Sequence, residues 1–389
     1  MATMNVRVFA LSALAALMLV ANHSVEAAKP GSGGGKPGGG GSTRGSSFTG
    51  VNLGVLPGDI GSRADAVSES GSVVGSSFFS DGSSETIFSP AYWYFNGQGW
   101  DAYALPKGAS NESKNGHASG ISGPVGSEEY VVGSIGLAAA IWTVTGHTSF
   151  SLPVFLDQGG SCRSSNATAV NSSRVAVGMC DYHAAVWAPS QNGYSSTVLS
   201  SPASGYTQPM DVNDDGIIVG RDCDASMQHC QAFVLKLGSS TVVQLNDQIN
   251  DDPDSYAAAV SDVVEVGGQE VVYVTGSTTS TIDLETGTRW TVPVSVLNES
   301  PSGSVTQIRL TSQWCSGVNN AGDAVCTSSG GGRQTTVLLR NGVLSSLKPP
   351  KGATDAAGLD LARTNGLPTY AVGAVQIGAG RAAVWVINK

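Results

Sequence analysis

Charge is scarce in this chain. Asp, Glu, Lys and Arg make up 13% of the 389 residues, and 30 acids against 20 bases leave a net charge of −10. That balance offers no basic face to a phosphate backbone or an anionic bilayer, which excludes nucleic acid and membrane surfaces as partners. Histidine is scarcer still, with five residues, and neither His-x-His nor His-Glu-x-x-His occurs, so the common metallohydrolase spacings are excluded. No Gly-x-Ser-x-Gly elbow is present, and no sialidase-type Asp box. Past Ala21 no apolar run is long enough to span a bilayer, which excludes membrane insertion by a later helix.

What is present begins with an address. One Arg precedes an apolar run from Val8 to Ala21, and Val25-Glu26-Ala27 puts small residues at a cleavage site. This reads as a secretory signal peptide over residues 1–27. Residues 28–47, KPGSGGGKPGGGGSTRGSS with its flanking Ala, carry almost no apolar side chains and read as a flexible tether. Residues 48–389 are rich in Val, Ser, Thr and Gly, the composition of strands broken by turns. The chain is expected to be secreted or periplasmic and monomeric. Six cysteines in such a chain argue for three disulfides.

A repeat organises the folded part. ADAVSESGSVVG, ATAVNSSRVAVG, MDVNDDGIIVG and CSGVNNAGDAVC are each a strand, a turn and a strand, and three further stretches ending at Gly133, Gly276 and Gly373 match them. The spacing averages about 50 residues, near that of propeller blades. A second hairpin follows each first one, as in AAVWAPSQNG or TTVLLRNG with its Asn341-Gly342 turn. In the fifth unit TIDLETG and RWTVPV fill these two places. The seventh unit lacks its last strand, and VNLGVLP at residues 51–57 supplies one. The expectation is an all-β chain: a single seven-bladed β-propeller of four-stranded blades, closed by the N-terminal strand. Small residues or Asp recur before the first-strand Val, Ile or Leu, where crowding around a central axis favours them. Trp93, Trp142, Trp187 and Trp385 recur at one place and are expected to pack between blades.

These units resemble the extracellular HAF-repeat family of bacteria. His183-Ala184-Ala185-Val186-Trp187 and Gln231-Ala232-Phe233 match its His-Ala-Phe-x-Trp motif in degenerate form. Asn213-Asp214-Asp215-Gly216 and Asn319-Asn320-Ala321-Gly322 match its turn. The resemblance covers about residues 50–389. It implies propeller-like blades and transfers no catalytic residues.

Three constellations bear on chemistry. Asp211, Asn213 and Asp215, with Gly216 and Asp222, have the spacing of a calcium loop, so calcium is the one candidate cofactor. The same stretch also spells a tight turn, and the aligned units keep the Gly without the ligands, which favours the corner. The cysteines pair locally as Cys162–Cys180, Cys223–Cys230 and Cys315–Cys326, all toward the end of the blades where the loops between second and third strands emerge. Trp314, at a loop exit, and the acidic loop with Asp251, Asp252, Asp254 and Tyr256 share that stapled face and are the candidate binding residues. The reading is a secreted, non-enzymatic binding or scaffold protein for an extracellular glycan or protein. A polysaccharide hydrolase or lyase on the same face is the alternative.

Overall fold

The computed structural model describes residues 48–80, 86–109, 115–157, 162–199, 205–226, 229–239, 241–245, 254–279, 285–298, 303–310, 313–330, 333–364 and 369–387. The expected signal peptide, residues 1–27, and the expected tether, residues 28–47, lie outside them. The described residues form strands, with one 3-10 turn at Val294–Leu297 and no α-helix. The strands make seven antiparallel sheets, the blades of a β-propeller. The first, innermost strands of blades 1 to 7 are Gly61–Val67, Gly116–Ile121, Ser165–Val170, Tyr206–Val212, Asp254–Val260, Gln313–Val318 and Ala356–Leu361. Blade 7 is completed from the other end of the chain. Val51–Gly54 pairs with Arg381–Ile387, Val51 opposite Val384 and Asn52 opposite Ala383. The incoming chain is also held where Gly50 N donates to Lys348 O at 2.7 Å and Lys348 N to Phe48 O at 2.8 Å.

Every innermost strand carries one extra residue relative to its partner, at the same place. The extra residues are Asp65, Ser119, Thr168, Met210, Ala258, Ser316 and Leu359. Such a bulge bends and twists the strand, which suits a strand wrapping an axis. It also explains the Gly that closes the repeat motif. A Cβ on Gly75 would lie 2.0 Å from the Arg63 carbonyl oxygen, and one on Gly133 1.9 Å from that of His117. Blade 6 breaks the rule with Cys326, and there the residue opposite it in the ladder, Cys315, is bonded to it.

The small residues after the bulge answer to crowding. A Cβ on Gly120 would stand 2.7 Å from Thr168 O in the next blade. The two Asp at this level do something else. Asp211 Oδ2 accepts from Val260 N at 2.9 Å and Asp360 Oδ2 from Val67 N at 3.0 Å, each reaching into the following blade.

The core lies between blades. Trp93, Trp142, Trp187, Trp290 and Trp385 are fully buried. They share one register, opposite Val73, Val131, Ala176, Val274 and Ala371. Trp290 reveals where the sequence reading slipped. The third strand of blade 5 is Glu285–Pro293, so RWTVPV belongs to it, and the fourth strand is Thr306–Leu310. An added short strand, Val264–Val266, and the 3-10 turn lengthen this blade and displaced the alignment. The outer strand of blade 2 is split into Ser149–Phe150 and Val154–Phe155, around Pro153.

Candidate functional site

The blades present two unlike ends. One carries the turns between strands 1 and 2 and between strands 3 and 4; this is the hairpin end. The other carries the longer connections and is the stapled end.

At the hairpin end the turns of blades 3 to 6 lean each on the next. Ser172 N donates to Asp214 Oδ1 at 2.8 Å, Asp214 N to Asp262 Oδ1 at 3.3 Å, and Asp262 N to Asn320 Oδ1 at 2.8 Å. Asn213 is wholly buried. Its Oδ1 accepts from Ile217 N at 2.7 Å, closing its own turn, and its Nδ2 donates to Ser261 O in blade 5 at 2.8 Å. Asp215 Oδ2 accepts from Val263 N at 2.9 Å. Gly71, Gly216 and Gly322 hold φ of 86°, 72° and 75° in three of these turns, a conformation that glycine adopts freely. Asp211, Asn213 and Asp215 therefore serve separate backbone partners. Asp222 is on the neighbouring strand, accepting from Thr207 Oγ1 at 2.7 Å. Among the described residues no group of three or more His, Cys, Asp or Glu converges as a metal site requires.

Arg363 closes this end. It follows the first strand of blade 7, yet its Nη2 lies 2.5 Å from Asp211 Oδ1 in blade 4. Those inner strands stand on opposite sides of the ring, so the pair crosses the axis. Asp211 and the neighbouring carboxylates hold the guanidinium firmly protonated against the cost of its burial. Enclosure pushes Asp360 the other way for an acid, up to about 7, against the pull of its two backbone N–H donors and with Asp211 adding to the rise.

At the stapled end the residue just before the narrow Ala–Gly pair occupies one level in every blade: Arg63, His117, Asn166, Gln208, Tyr256, Trp314 and Ala357. All but Gln208 are half-buried. Innermost strands are covered on both faces by neighbouring blades, so the exposure left to them opens on the axis. Trp314 and Tyr256 therefore sit inside strands at the axial mouth, and not in exit loops as the sequence suggests. Asp254 opens the same strand as Tyr256, and its Oδ1 accepts from Cys230 N at 2.8 Å. Asp251 and Asp252 lie outside the described residues. Arg63 Nε is 2.7 Å from Asp65 Oδ1. Burial raises the Asp65 carboxyl even so, with Arg63 opposing the rise. Burial, aided by Arg63, pushes the His117 imidazole down to about 4, which keeps it neutral. The Phe88 ring packs 4.8 Å from it, centroid to centroid.

The disulfides Cys162–Cys180 and Cys223–Cys230 join strand ends and loop flanks at this end, whereas Cys315–Cys326, expected here as well, bonds two buried residues directly opposite in the ladder of blade 6 and encloses a turn of the hairpin end. Arg63, Asp65, His117 and Arg363 escaped the sequence reading. The only signal for the first three was their place one and three residues around the repeat's small residue.

No protein-family model matches this chain, and no curated protein matches it. Solved structures do, on shape. It is similar to virginiamycin B lyase from Staphylococcus aureus, with 10% identity, a TM-score of 0.45, and 87% of this chain and 98% of that one covered. It is also similar to a gluconolactonase from Xanthomonas campestris, at 14% identity, TM-score 0.40, and coverage of 72% and 94%. A WD40 domain of SCAP from fission yeast aligns at 9% identity and TM-score 0.38, covering 88% and 98%. Enzymes and non-enzymes stand side by side here, and none carries an argument about chemistry.

Proposed function

We propose that this chain is a secreted binding or scaffold protein of the HAF-repeat type, taking an extracellular glycan or protein segment at the axial mouth of its stapled end. The observation that carries this reading is the closure of the other end by Arg363 and Asp211, which leaves the mouth with Trp314 and Tyr256 as the accessible end of the axis. Aromatic rings supply area for stacking on a sugar or packing on a side chain at little entropic cost. The three disulfides support an oxidising compartment. No helix among the described residues is long and apolar enough to cross a membrane. A monomer with a mouth of its own needs no second copy to complete it.

A second reading, a carbohydrate-active enzyme at the same mouth, is favoured by one observation. Asp65 with a raised carboxyl and a neutral His117 share Arg63, and shifted groups gather at catalytic sites. The two readings part on a panel of polysaccharides scored for retention and for new reducing or unsaturated ends. Retention lost in Trp314→Ala, without cleavage by the parent, is the expected result. Cleavage that disappears in Asp65→Asn would install the enzyme instead, and retention unchanged by Trp314→Ala would remove the mouth from either role.

A further inference from the structure

The seam between blades 1 and 2 departs from the repeat three times in one place. The residue of the third strand opposite the one preceding the motif Gly is Ile141, Val186, Val234, Leu338 and Val384 in five blades, Arg289 in blade 5 and Tyr92 in blade 1. Four residues before the motif Gly, where blades 1 and 4 have Gly71 and Gly216, blade 2 has Glu129. In the turn between its third and fourth strands blade 2 has Gly146-His147, where blade 6 has Asn341-Gly342. His147 holds a φ of 65°, in the left-handed region that few residues other than Gly take, His being with Asn and Asp among those that take it most readily. Broken local rules that converge on one spot mark function more often than packing.

The three side chains are joined. Glu129 is buried, and among the described residues its ion-pair partner is His147 and not a Lys or Arg. Its Oε1 accepts from Ser68 and Ser70 at 2.7 and 2.6 Å, and its Oε2 from the Tyr92 hydroxyl at 2.9 Å. The Tyr92 oxygen is in turn 2.8 Å from His147 Nδ1. With Tyr92 donating to the carboxylate, His147 Nδ1–H donates to Tyr92, and the imidazole is fixed with Nε2 as its basic nitrogen. Burial and the Glu129 charge hold the Tyr92 hydroxyl protonated. Tyr94 covers one imidazole face in a parallel stack at 3.9 Å, and 30% of the His147 side chain remains exposed. Nδ1 is the ring nitrogen turned to the buried Tyr92 hydroxyl, which puts Nε2 on the opposite edge of the ring.

We propose that His147 is a nucleophilic imidazole for neutral carboxylic esters, on the hairpin face and independent of the axial mouth. The charge beside the imidazole is the Glu129 carboxylate, so phosphates and uronates are disfavoured. Nε2 attacks the ester carbonyl carbon, an N–C bond forms, and the C–O bond breaks with its pair leaving on the alkoxide. The Nδ1 proton passes to Tyr92 as Tyr92 gives its own to Glu129. Water then adds to the acyl carbon and the N–C bond breaks with its pair returning to nitrogen. The acid departs, the Glu129 proton returns through Tyr92 to Nδ1, and the remaining water proton neutralises the alkoxide. His147 is the catalytic residue; Tyr92 and Glu129 are positioning residues.

The test is hydrolysis of 4-nitrophenyl acetate by the full chain, with mass spectrometry of the acetylated protein. The expected result is turnover faster than the same concentration of free imidazole, with acetyl trapped on His147. His147→Asn, which tolerates the turn conformation, loses the rate. His147→Gly recovers it when imidazole is added. Tyr92→Phe, close to the apolar residues that other blades carry there, and Glu129→Gln slow it by about 10²-fold with the fold intact by circular dichroism. His183→Asn, at an exposed position, changes nothing. A rate unaltered in His147→Asn, or acetylation of His183 as fast as of His147, overturns the proposal. So does a Tyr92→Phe protein that folds and reacts at the parent's rate.

Discussion

The two ends of the axis are built from the same repeat and differ in nearly every respect. The hairpin end is tied by non-covalent bonds: the turns of blades 3 to 6 are joined each to the next by side chains that cap backbone groups. The stapled end is irregular: loops of unequal length, two of them tied by covalent bonds. One end spends its polar side chains on the ring itself, Asn213 and Asp214 among them. The other leaves Arg63, His117, Tyr256 and Trp314 half-exposed. Neighbouring turns hold one another at the hairpin end through particular side chains, even where their lengths differ as in blade 5, while the loops of the other end are left free to vary.

The comparison is broken most severely at Asn213. Asn213→Ala leaves a buried N–H of Ile217 and a buried carbonyl of Ser261 unpaired, at about 1–3 kcal/mol each. Chemical denaturation should show a loss of that combined size, and a loss below about 1 kcal/mol would mean that the turns do not hold one another. The staples should matter less to stability. Replacing Cys162 and Cys180 by Ser opens a loop of 18 residues and should cost about 2–3 kcal/mol. Its sharper effect is expected at the mouth, as weakened ligand retention with the hairpin end unchanged.

The smallest effect is a difference of sign with pH. Asp360 has a folded value of about 7 against 3.8 ordinarily. The native chain keeps a proton that the unfolded chain has released, so this contribution is present at low pH and is lost as pH rises toward 7. His117 has a folded value of about 4 against 6.5. Its contribution is present above 6.5 and is lost as pH falls toward 4. The two slopes oppose each other in the parent. Scanning calorimetry between pH 4 and 7 should find melting temperatures that rise with pH in Asp360→Asn and fall with pH in His117→Asn. Parallel profiles in the two variants would sink this account.

Architecture was legible because the bulge imposes the same letters on each blade, a small residue or Asp, then an apolar pair and Gly. Blade 5 was misaligned because its inserted strand and 3-10 turn change its length while keeping Trp290 in register. The sites were legible only in part. Arg363 and Asp211 meet across 152 residues of chain, and no local pattern encodes a contact between opposite blades. The level shared by Arg63, His117, Tyr256 and Trp314 was hidden because seven different demands on one position leave no common letter. Tyr92 was hidden as well, because its partners Glu129 and His147 come from another blade.

Closure by Val51–Gly54 has a mechanical consequence. That short strand is the outer edge of blade 7, held to its neighbour by three register pairs and to Lys348 by two backbone bonds. Every other blade is a continuous run of chain. A pull applied at Phe48 therefore acts first on this seam, peeling it pair by pair from the rim. The ring gives way there while six blades stay whole, so tension on this side of the molecule is read out as opening of the propeller rather than as its unfolding.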